Sequence, residues 1–77
     1  MTKNKINEAV RMSLVKFAIH ALAAYRDGQR TVAGCDLNPT PNGFEVPLIN
    51  IRVADVGRET VLLRGEDELE VLARRPR

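Results

Sequence analysis

The chain has 77 residues, 44% of them hydrophobic and 29% charged, and carries a formal net charge of +2. That is enough for one domain, near the size at which a single core supplies only about 3 to 5 kcal/mol without a staple. The lone Cys35 excludes an intrachain disulfide and any CxxC or Cys/His zinc pattern; with a polar opening from Thr2 to Lys5 and no signal-peptide pattern, the expected setting is reducing and cytoplasmic.

From Asn4 to Gly28 runs the one stretch long and apolar enough to nucleate a core, and its spacing predicts a helix over 4–28. Thr2 or Asn4 is the expected N-cap, since either side chain can accept from a free amide of the first turn, and Glu8 is favourable there with the macrodipole. Asp27 and Gly28 supply the stop, at 26 to 28. At about 100° per residue, Ile6, Val10, Leu14, Phe17, Ala21, Ala24 and Tyr25 form one stripe, expected to bury against a sheet.

A second apolar set, Met12, Val15, Ile19, Leu22 and Ala23, lies roughly on the opposite side of the same helix. A helix apolar nearly all round is central in a large protein, inside a membrane, or covered by a partner. Arg11, Lys16, His20 and Arg26 interrupt every window long enough to span a bilayer, and the chain is too short to wrap the helix by itself. These five residues are therefore the expected interface of a homodimer, most simply an isologous pair. The competing expectation is that the C-terminal segment folds back over them.

Beyond the helix, RTVAGCDL over 30–37 reads as a first strand with Ala33, Cys35 and Leu37 on one face. NPTPNG over 38–43, with two prolines and an Asn-Gly pair, reads as a hairpin loop unable to hold a strand and with positive φ at its tip. GFEVPLINIRVAD reads as one strand whose alternation changes phase, Phe44, Val46 and Leu48 against Ile49, Ile51 and Val53, so that a bulge or bend is expected at Pro47–Ile49. A turn around Gly57 leads to a third strand, Glu59–Arg64, paired antiparallel to the second. After a turn at 65–67, ELEVLARR alternates as a fourth strand yet also has the Leu69–Leu72 spacing of a short helix; the tight loop at Gly65 favours the strand. The expected fold is α+β, one domain over 1–77, with a long helix on a curled antiparallel meander of three to four strands and a frayed basic tail at 74–77.

Chemistry is sparsely represented. His20 sits on the polar flank of the helix without a carboxylate one turn away, and Cys35 shares a strand face with apolar residues, so neither has the partners of a base or a reactive thiolate. Glu66, Asp67, Glu68 and Glu70 lack the oxygen spacing and turn glycine of a calcium loop. No phosphate-cradling, dinucleotide, metalloprotease or serine-hydrolase motif occurs. Neither a catalytic residue nor a bound cofactor or metal is expected.

Charge is segregated: residues 1–30 carry +4, residues 31–73 carry −5 and the last four +3. Arg11, Lys16, His20, Arg26, Arg74 and Arg75 are the residues that would meet an anion, and with Lys3, Lys5, Arg30 and Arg77 they would form a phosphate-binding stripe if helix and tail converge. In element order, a helix followed by an antiparallel meander, the chain resembles small SH3-like and Sm-like barrels, which implies nucleic acid as an alternative partner. Phe17, Tyr25 and Phe44 are the only aromatics, and two lie on the core stripe, which leaves few platforms for base stacking. The expectation is instead a non-enzymatic protein-binding regulator or inhibitor, of the kind phages and mobile elements use to block a host complex. A third class is a small-ligand sponge with a pocket at the dimer seam.

Overall fold

A computed structural model describes residues 7–76. Helix α1, Glu8–Arg26, starts later than expected because Asn7 is extended (φ −62°, ψ 140°) and its Oδ1 accepts from the Ala9 amide at 2.7 Å. The expected caps, Thr2 and Asn4, and the stripe residue Ile6 lie outside the described residues. At the far end the stop is as the sequence implies. Gly28 takes φ +94°, and the Gly28 and Gln29 amides donate to the Tyr25 and Ala24 carbonyls at 3.0 and 2.9 Å, closing the last turn.

The predicted first strand is instead a small hairpin. Strands β1, Thr31–Val32, and β2, Cys35–Asp36, pair through a two-residue turn in which Ala33 and Gly34 both have positive φ, the signature of a type I′ turn. Ala33 is thus at the exposed tip, while Cys35 and Leu37 enter the core.

A five-stranded antiparallel sheet follows in simple sequential order: β3, Asn38–Thr40; β4, Gly43–Val46; β5, Ile51–Val56; β6, Glu59–Arg64; and β7, Asp67–Arg74. The count exceeds the three to four strands expected, for two reasons. First, Asn38–Thr40 pairs with β4 despite Pro39, which is tolerated because β3 is an edge strand. Neither Asn42 nor Gly43 adopts positive φ in the turn between them. Second, the phase change in GFEVPLINIRVAD is a chain reversal. Pro47–Ile49 form a 3-10 turn, Asn50 is left-handed (φ 58°), and β5 returns along β4 with Val46 opposite Ile51 and Phe44 opposite Val53. A loop of even length puts residues of opposite parity on the same face. Since β3 and β7 remain its two edges, the sheet is open and does not close as a barrel would.

The strand expected over the last segment is present, and its mixed periodicity has a cause. Register shifts between Thr60 and Val61 and between Leu62 and Leu63 leave Leu72 and Leu69 as extra residues in β7, so two bulges reset the alternation. Both leucines pack against the core, three residues apart within a strand. Arg74 belongs to β7, and Arg75 is held by its amide to the Arg58 carbonyl at 2.7 Å, so the basic tail is tied down through Arg75.

Helix α1 lies across one face of the sheet. Ala18 and Ala21, both with no exposure, meet Phe44, Val46, Ile51, Val53 and Leu62, with Leu14, Val15, Phe17, Leu22 and Tyr25 around them. The Tyr25 ring stacks on Phe44 at 4.6 Å, and the Arg30 guanidinium covers its other face at 4.0 Å. The buried side is therefore turned by about 60° from the predicted stripe. Val10 leaves the core for solvent, Phe17 and Ala24 become flanking residues, and Ala18, Val15 and Leu22 take their place. Two alanines let the helix axis approach the sheet closely, and that contact outweighs the larger side chains to one side of it.

Candidate interaction surface

Three of the five large hydrophobic side chains exposed among the described residues lie on α1: Val10 and Met12, each 44% exposed, and Ile19, 51% exposed. Leu48, in the 3-10 turn, and Val56, at the end of β5, are isolated from them in sequence and element. Of the five predicted interface residues, Met12, Ile19 and Ala23 face outward. Val15 and Leu22 are half-buried and pack against the core, at the seam between the sheet-facing and outward sides. Val10 stands about 180° round the helix from Ile19, so the apolar surface that runs from the core out to solvent consists of Val15 and Leu22 with Met12 and Ile19 beside them.

The candidate anion-binding residues do not gather at one place. Arg11 is folded against the sheet, paired with Glu8 at 3.3 Å and with Glu70 of β7, so both its charged partners are carboxylates. Lys16 and His20 are exposed on the outer side of α1. Arg74 pairs with Glu59 at 2.6 Å, and Arg75 donates to the Gly57 carbonyl at 2.8 Å while Arg58 donates to that of Pro76 at 3.0 Å. Arg26 borders a cleft of about 150 Å³ between the end of the helix and the sheet, where Thr60 donates to Asp55 at 2.7 Å above Phe44 and Val53. That volume is below the roughly 300 to 1,000 Å³ of ordinary ligand pockets. Lys3, Lys5 and Arg77 lie outside the described residues.

No constellation with the geometry of a reaction centre is present among the described residues. Cys35 is buried, its Sγ 3.9 Å from the Ala33 carbonyl. Among the described residues no three His, Cys, Asp or Glu side chains gather as metal ligands, and no buried side-chain polar atom lacks a partner. Among the described residues no helix is long and apolar enough to cross a membrane. Sequence reasoning missed Glu70 as the partner of Arg11: the two stand on the first and last elements, and no local pattern links them. No protein-family model, curated protein or solved structure matches the chain.

Proposed function

We propose that the protein acts by protein–protein contact, as a small non-enzymatic regulator or inhibitor whose α1 outer side, with Met12, Val15, Ile19, Leu22 and Ala23, is the surface that assembles it as a homodimer. The observation that supports this most is the exposure of Met12 and Ile19 beside the half-buried Val15 and Leu22. Apolar side chains that continue from a core into solvent on one helix lose contact with water most readily against another helix. Nucleic acid is less favoured, since Arg11 and Arg74 already face carboxylates and Arg75, beyond β7, is engaged by the Gly57 carbonyl, which leaves only Lys16, His20 and Arg26 of α1 among the candidates.

Sedimentation or light scattering gives the mass directly, and twice the chain mass is expected. Ile19→Asp places a charge at the centre of the surface without touching the core cluster; it should give a folded monomer, whereas Lys16→Glu, on the outer rim, leaves the dimer in place. A wild-type chain that stays monomeric, or that shifts on nucleic acid with steep salt dependence, refutes the assignment.

A further inference from the structure

The outer side of α1 carries a pattern that identifies its occupant. Glu8, Met12, Val15, Ile19, Leu22 and Arg26 succeed one another by alternating steps of four and three, the spacing of the seam between two paired helices. The four inner members are apolar, the first is an acid and the last a base. Glu8 and Arg26 lie about five helical turns apart, hence on the same side of the helix and about 27 Å from each other. Both are exposed; Glu8 touches Arg11 at 3.3 Å yet keeps 77% of its side chain in solvent.

We infer that this seam pairs with α1 of a second copy in antiparallel orientation, with the twofold axis at the level of Phe17. This rests on the proposed function, that α1 is the contact surface, and adds its partner and register. In that register Met12 packs against Leu22 of the second copy and Val15 against Ile19, so each layer joins one exposed residue to one half-buried residue. Glu8 meets Arg26 of the second copy at one end, and the symmetry repeats the pair at the other. A parallel pair in register would instead set Glu8 against Glu8 and Arg26 against Arg26, so the charges select the antiparallel form. Lys16 approaches its own symmetry mate on the outer rim, a repulsion that its long stem relieves by turning the ammonium to water.

Charge reversal tests orientation separately from assembly. Glu8→Arg and Arg26→Glu should each weaken the dimer by roughly tenfold or more in sedimentation equilibrium at low salt, because each turns two attractive pairs into two repulsive ones. Mixing the two variants in equal amounts should recover a tight heterodimer, and the double variant Glu8→Arg with Arg26→Glu should recover the homodimer, which excludes loss of helix as the cause. A dimer broken by Ile19→Asp but unmoved by either charge reversal overturns the register and leaves the surface assignment standing. A chain that does not self-associate overturns both.

Discussion

At the scale of single residues, the tightest constraint is Gly43. A Cβ built there would collide with the Val53 carbonyl of the adjacent strand, and this is backbone that cannot swing aside. The strand pair β4–β5 holds its register because the first residue of β4 has no side chain. Gly43→Ala should therefore cost about 1 to 3 kcal/mol through displacement of β4 from β5, read as a lower urea midpoint with an unchanged slope; an unshifted midpoint would mean the two strands do not approach so closely. Arg11 is instructive in a different way. As a basic residue on an amphipathic helix it reads as a candidate for an anionic ligand, but its half-buried guanidinium lies between Glu8 and Glu70 and completes the seam between α1 and β7.

At the scale of elements, the β1–β2 hairpin turns on Ala33 at φ 52°, a conformation that costs an L-residue with a Cβ roughly 1 kcal/mol. Asn tolerates it better and is favoured at that position of a type I′ turn, so Ala33→Asn should raise the melting temperature by several degrees, about 4 to 8 °C per kcal/mol for a domain of this size. A lower melting temperature would show that the turn is not where the strain lies. The helix–sheet contact has the opposite sensitivity. Ala18 is fully enclosed between the helix axis and the sheet, and Ala18→Leu should lose about 1 to 3 kcal/mol or more in denaturant titration because the helix must lift to admit it. Should the larger residue be accepted without loss, the close approach that sets the helix azimuth would be wrong.

At the scale of the whole molecule, the described residues form a two-layer slab of about 41 × 35 × 19 Å, one helix over a sheet. Among the described residues no third layer lies over the helix, and the exposed Met12 and Ile19 follow from that. If a second copy supplies the cover, stability is tied to concentration by mass action. The melting temperature of the wild type should then rise as protein concentration is raised, and that of Ile19→Asp should not; a wild-type value independent of concentration would argue against assembly through α1.

The sequence by itself determined what local chemistry enforces within a few residues. Gly28 ends the helix, Gly57 and Gly65 stand in the turns that space β5, β6 and β7, and the apolar runs between them are strands. Only the tertiary structure decided which side of α1 is buried, because a helix with apolar residues nearly all round offers several faces and the choice fell to the one where Ala18 and Ala21 permit close packing. It also decided that Asn38–Thr40 pairs despite its proline, since an edge position is a property of the assembled sheet. The Leu69–Leu72 spacing was ambiguous between helix and strand for the same reason: bulges arise from pairing with β6, and no window confined to β7 contains them.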